Sequence, residues 1–277
     1  MPDTLPLPRP PRSAPAMANT ASKSPTAPRP SSRKTRRKAR AKEWARAKAR
    51  GEVGAPAMPW LDTALYVDFE TYGGGARGFR PVLVCVHDAK AGRTRQFVLD
   101  DRFEKAAKQK RLAEITPQAF ARWLVLGPGR RRSVVGFSMH ERTTLEHWMP
   151  GVEFEYVNAL PISRAWRNRK FPDLVRAEQE RIKTLPPGER AAARRAWNSL
   201  ETMLKLAGIG VPSNYGRGST TKRLRNVEEQ LLAKGSYSAL TDMSKAKWVA
   251  VLKHNKTDVE GMVKLLRKIA GTSPASV

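Results

Sequence analysis

The run "ALYVDFE", residues 64–70, constrains this chain more than any other stretch. Apolar, aromatic and β-branched residues follow one another between Thr63 and the glycines after Tyr72, the pattern of a buried strand. Alternate side chains of a strand share a face, so Asp68 and Glu70 point the same way at the strand's end while Phe69 points into the opposite layer. Two neighbouring carboxylates repel unless a cation sits between them, and an all-oxygen ligand set suits Mg²⁺ or Mn²⁺ better than zinc. By itself Asp-x-Glu is a common pattern that two solvated strand-end acids also satisfy, so its meaning depends on the rest of the chain.

The elements after it give a mixed α/β order. "RPVLVCVHDAKAGRTRQFVLD" predicts two strands joined through Ala89–Gly92, an antiparallel hairpin. In "TPQAFARWLVLG", Thr116 is a helix cap, Pro117 sits in the first turn and Gly127 is the stop. "RSVVGFS" predicts a strand, "MHERTTLEHWM" a helix and "VEFEYVN" another strand. Helices are then expected over Leu160–Arg169, Gly188–Leu206, Thr221–Ala233 and Ser244–Ile269. The folded domain is expected over residues 58–271, between an arm at 1–57 and a flexible tail at 272–277.

The arm differs in kind. Residues 1–32 are mostly Pro, Ser, Ala and Thr, too poor in large apolar side chains to offset the entropy of ordering, so disorder is expected there. From Arg33 the text turns to Arg, Lys and Ala, which favour helix, and the segment reads either as a nucleic-acid tether that becomes helical on binding or as a solvated basic arm. The chain's 277 residues carry a net charge of +27, of which residues 1–50 supply only +12. The folded part is therefore basic as well, which favours a polyanionic partner: nucleic acid, DNA or RNA, ahead of an acidic membrane face. Cys85 is the only cysteine, so no disulfide framework and no cysteine-based zinc site is expected, and the setting is expected to be reducing and cytoplasmic. No apolar run approaches the roughly 18 residues of a membrane span, and prolines occupy the place of a signal peptide's apolar region. An organellar presequence stays open, since the arm is Arg-rich and acid-poor.

Two further acids keep company with Asp68 and Glu70. Glu141 opens the helix after the strand at residues 132–138, with Leu145 and Trp148 turned inward; a surface acid favoured by the helix dipole fits that position too. Asp258 lies on the last helix, whose buried stripe is Val259, Met262, Val263 and Leu266, and His254 four residues before it shares its face. A salt-bridged helix acid beside Lys253 or Lys256 is the plainer reading of Asp258. "GIGVPSNYGRGSTTKRLRN", residues 208–226, puts Arg217, Lys222, Arg223 and Arg225 at a helix start, a plausible phosphate contact or a plain flexible loop. Tyr215, Tyr237 and Trp248 are candidates for stacking on bases, with the core favoured for Trp248.

"VDFET", "VGFSMHERTTL", "SLETMLKLAGI" and "KHNKTDVEGM" together resemble the motifs of DEDD-type 3′ to 5′ exonucleases. The second resembles the variant with Glu for Asp found in proofreading-like domains of some phage polymerases and in YprB-like proteins. The resemblance covers roughly residues 60–270 and implies a ribonuclease H-like mixed sheet flanked by helices. It implies two-metal phosphodiester hydrolysis with Mg²⁺ or Mn²⁺: Asp68 bridging both ions, Glu70 and Asp258 completing one site, Glu141 serving the other, and His254 as general base. Two departures stand out. His254 and Asp258 have the spacing of the family's tyrosine branch with a histidine in it, and Asn158 stands where related sequences often carry Asp. The expected activity is exonucleolytic cleavage of DNA or RNA from a single-stranded 3′ end. The alternatives are a catalytically degenerate nucleic-acid-binding module of the same fold, and a structural component of a nucleoprotein particle.

Overall fold

The structure, a computed structural model, describes residues 57–72, 80–127, 130–212 and 219–272, all within one compact unit, Ala55–Val277. The expected arm (but for Ala57), Tyr215, Arg217 and the tail beyond Thr272 lie outside the described residues. The elements are β1 (Leu65–Tyr72), β2 (Arg80–Asp88), β3 (Arg93–Val98), α1 (Glu104–Gln109), β4 (Ala113–Glu114), α2 (Pro117–Leu126), β5 (Val134–Gly136), α3 (Met139–Trp148) and β6 (Tyr156–Asn158). There follow α4 (Ala159–Lys170), α5 (Pro172–Thr184), α6 (Pro187–Trp197), α7 (Leu200–Leu206), α8 (Ser219–Lys234) and α9 (Asp242–Ala270).

The strands form one mixed sheet in the order β4-β3-β2-β1-β5-β6. β1, β2 and β3 are antiparallel neighbours, as the hairpin sequence predicts, and β5 and β6 run parallel to β1. Helices cover both faces, so the chain has an α/β fold with a mixed six-stranded sheet. β1 has the near-continuous apolar character of a strand buried on both sides. Leu65, Val67 and Phe69 pack with Phe97, Phe120, Leu124 and Leu145 on the α2 and α3 side. Tyr66 faces the other way, into Cys85, Val135, Met203, Val259 and Met262, and its hydroxyl donates to the Leu61 carbonyl at 2.8 Å.

Caps set the helix starts where the sequence suggests. Thr116 Oγ1 accepts from Ala119 N at 3.2 Å, Asn158 Oδ1 from Leu160 N at 3.0 Å, and Thr241 Oγ1 from Ser244 N at 3.3 Å. Asn158, flagged as a departure, is thus the N-cap of α4. The helix expected over Gly188–Leu206 is two helices. Asn198 ends α6, and Ser199 caps α7 by accepting from Thr202 N at 3.2 Å, because a hydroxyl that competes for backbone N–H groups favours a cap over a helix interior. α1, the short β4 and α5 are elements that the sequence reading does not predict, although α5 buries Val175 and Ile182 two turns apart. α9, of 29 residues, is about 43 Å long. Gly261 lets it approach α7, since a Cβ there would lie 2.9 Å from Leu204 Cδ1. Two of the aromatics considered for base stacking are internal: Trp248 is wholly buried and stacked on Phe103, and Tyr237 is buried in the same cluster. No helix among the described residues is long and apolar enough to cross a membrane.

Candidate functional site

Because β5 runs parallel to β1, with Leu65 beside Val134 and Tyr66 beside Val135, both strands end at the same edge of the sheet. Such an edge, outside the carboxyl ends of parallel strands, is where α/β sheets tend to place ligands. β1 runs on to Tyr72, so Asp68 and Glu70 lie within it rather than at its end, past the last residue that pairs with β5 and on the face that α9 covers. The β1–β2 register shifts between Glu70 and Thr71, where Pro81 enters the ladder, a bulge of the kind that re-aims side chains.

α9 brings its chemistry to the same place. His254 Nε2 lies 3.5 Å from Asp258 Oδ2 and 3.8 Å from Glu70 Oε1. One ligand atom from each of Glu70, His254 and Asp258 falls within 4.8 Å of the others. Asn255, the neighbour of His254, is wholly buried and donates through Nδ2 to the Asp68 carbonyl at 3.0 Å and to Asp68 Oδ2 at 2.8 Å.

Glu141 arrives by a different route. Ser138 caps α3 in a capping box, so Glu141 folds back and its Oε2 accepts from Ser138 N at 3.1 Å and Ser138 Oγ at 2.9 Å. Tyr156 of β6 donates to the same oxygen at 3.3 Å and to the Ser138 carbonyl. Gly136 makes room for this: a Cβ there would stand 2.9 Å from Glu141 Cβ and press on the Tyr156 hydroxyl. Glu141 is 5% exposed, which rules out the plain surface-acid reading of it.

The electrostatics show that the acids share one site. Burial, then the charge of Glu141, pushes the Asp68 carboxyl up to about 7, with the Asn255 hydrogen bond opposing. Burial and then Asp68 push Glu70 well above the carboxylate range, against the pull of Arg223. Asp258 is raised by burial and then by Asp68, Glu70, Glu201 and Glu141. For His254, burial and then Arg223 lower the pKa to about 4, so the imidazole is neutral at neutral pH. The structure thus brings together Asp68, Glu70, Glu141, His254 and Asp258. Of the basic residues singled out, Arg223 reaches this field, whereas Lys222 and Arg225 are exposed.

The donor set fits a divalent cation. Glu70 is 8% exposed, and its Oε1 is buried with no hydrogen-bond partner among the described residues. A buried carboxylate oxygen without a donor, facing further acids, is the arrangement that an added positive charge relieves. Of the two lysines that could pair with Asp258, Lys256 pairs with Glu260 at 3.7 Å.

Sequence reasoning missed three contributors. Asn255 interrupts the buried stripe of α9 between Val251 and Val259, and a polar residue at that spacing is the signal that would have found it. Glu201, in the first turn of α7 and paired to Lys205 at 2.6 Å, adds a fifth acid to the field. Tyr156 carries no signal in its own sequence. No protein-family model, curated protein or solved structure matches the chain.

Proposed function

We propose that this chain is a metal-dependent nuclease of the ribonuclease H-like kind, removing nucleotides from the 3′ end of a nucleic acid. The observation that carries the reading is the cluster of Glu70 from β1 with His254 and Asp258 from α9 about the partnerless Glu70 Oε1, within the field of Asp68 from β1 and Glu141 from α3. The order of strands and helices along the chain agrees with the fold that the sequence resemblance implies.

Asp68, Glu70, Glu141 and Asp258 would hold Mg²⁺ or Mn²⁺. Bound there, such ions lower the pKa of an attacking water and offset the charge that develops on the leaving oxygen. The protein supplies the rest. β1 fixes two acids one strand repeat apart, and the capping box fixes the third before any ligand arrives. His254, neutral at pH 7, offers a ring nitrogen to a proton released beside Glu70 and Asp258. Arg223 places a positive charge next to the acids, where a phosphate must enter, and the net charge of +27 draws a polyanion toward it.

The test is cleavage of 5′-labelled and 3′-labelled single-stranded DNA and RNA with Mn²⁺, Mg²⁺ or EDTA, beside Asp68→Asn. Metal-dependent shortening from the 3′ end, lost in Asp68→Asn while strand binding is equal or tighter, is the expected result. Turnover by Asp68→Asn would sink the assignment. Salt-sensitive binding with no cleavage by the natural chain would favour the degenerate binding module instead.

A further inference from the structure

A chain of side-chain hydrogen bonds crosses the molecule from β3 through α9 to β1. Gln96 Nε2 donates to the Leu252 carbonyl at 2.9 Å and to Asn255 Oδ1 at 3.3 Å, and Asn255 Nδ2 donates in turn to Asp68. Both groups that Nδ2 meets on Asp68, the carbonyl and Oδ2, accept only, and the group that meets Oδ1 is a donor. The Asn255 amide therefore has one allowed orientation. Its burial is complete, between the apolar Val251 and Val259 of the same helix stripe, so the side chain is there for these bonds rather than for packing.

We propose that Asn255, oriented by Gln96, is a positioning residue: it holds Asp68 by Oδ2 and leaves Oδ1 as the oxygen offered to a divalent cation. This rests on the metal-dependent reading above. A neutral amide suits the task because it fixes the carboxylate without cancelling the charge that a cation needs, as Lys or Arg would. Aspartate in its place would lose the donor and add another acid to a site that already gathers five. The arrangement parallels the outer partners of metal ligands, whose loss typically lowers metal affinity or activity about 10- to 100-fold.

The experiment uses the full chain and the variants Asn255→Ala and Gln96→Glu. Mn²⁺ binding is measured by titration calorimetry, folding by melting in EDTA, and kcat and KM on 5′-labelled single-stranded DNA. Gln96→Glu keeps the shape of the side chain but replaces the donor with an acceptor, so Asn255 Oδ1 loses its partner and the amide's hold on Asp68 is loosened. Both variants are expected to weaken Mn²⁺ binding about 10- to 100-fold and to lower kcat, with KM for DNA within about twofold of the natural chain. If Asn255→Ala fails to fold, Gln96→Glu carries the test. Folded variants that bind Mn²⁺ as the natural chain does, whatever their melting temperature, would overturn the assignment and leave Asn255 a structural residue. A natural chain that takes up no Mn²⁺ would overturn the metal reading itself, and this inference with it, before any variant is compared.

Discussion

Glu70 and Glu141 are two buried glutamates of one site, yet the fold treats them in opposite ways. Glu141 Oε2 is surrounded by donors from Ser138 and Tyr156, all but one of them supplied within three residues of it. Glu70 stands on β1 with His254 Nε2 at 3.8 Å from its Oε1, and that buried oxygen has no hydrogen bond among the described residues. A local motif thus prepares one half of the site whatever is bound, while the other half holds like charges together against the opposing Asn255 hydrogen bond and Arg223 charge.

The comparison predicts opposite signs for the same substitution. In EDTA at pH 8, Glu70→Gln should raise stability, because the carboxyl it removes is held well above its ordinary range by burial and then by Asp68. Glu141→Gln should lower stability by about 0.5 to 1.5 kcal/mol through weaker acceptance from Ser138 and Tyr156. Both should reduce cleavage to background. Urea melts of the two variants check this, and equal signs would break the distinction.

Gly136→Ala sharpens it from the other side. The added methyl meets Glu141 Cβ at 2.9 Å and Cγ at 3.0 Å, so α3 must shift, at a cost of about 1 to 3 kcal/mol by thermal melting and with a loss of cleavage.

The pH dependence follows from the acids. Asp68, Glu70 and Asp258 bind protons more tightly folded than unfolded, so their contribution is full at low pH and is lost as pH rises through the folded values, about 7 for Asp68. His254, lowered to about 4, acts in the opposite sense, its contribution being lost as pH falls below its ordinary value of 6.5. Above pH 6.5 the carboxylates alone remain. Metal-free stability should therefore fall by roughly 1 kcal/mol between pH 6.5 and 8, and saturating Mn²⁺ should abolish the fall. A metal-free melting temperature that is flat or rising across that window would contradict the clustered charges. The smallest effect is expected of Tyr156→Phe, which removes one of Glu141's donors and should cost about 0.5 to 1.5 kcal/mol while cleavage persists at a reduced rate.

The legibility of the site in the sequence divides along the same line. β1, the hairpin and the capped helices α2 and α3 announce themselves through apolar β-branched runs bounded by turn residues, Thr116 and Pro117, and the Ser138 to Glu141 spacing, all of which are local. Asp68, Glu70, Glu141, His254 and Asp258 were legible as candidates because strand and helix periods put them on faces that a mixed sheet can bring together. Asn255 was passed over beside His254, although its place between Val251 and Val259 marks it as buried. Glu201 was out of reach, because its approach depends on the break at Asn198 and Ser199 that the run of helix-forming residues conceals. Tyr156 meets Glu141 only through the β5–β6 pairing, a contact that no local pattern encodes.

The most direct test of the central claim is a crystal of the chain grown with Mn²⁺ and examined by anomalous scattering at the manganese edge. Ordered Mn²⁺ in contact with Asp68, with Glu70 Oε1 and Asp258 among the ligands, is the expected result. Crystals soaked to saturation that show no manganese at these carboxylates would contradict it.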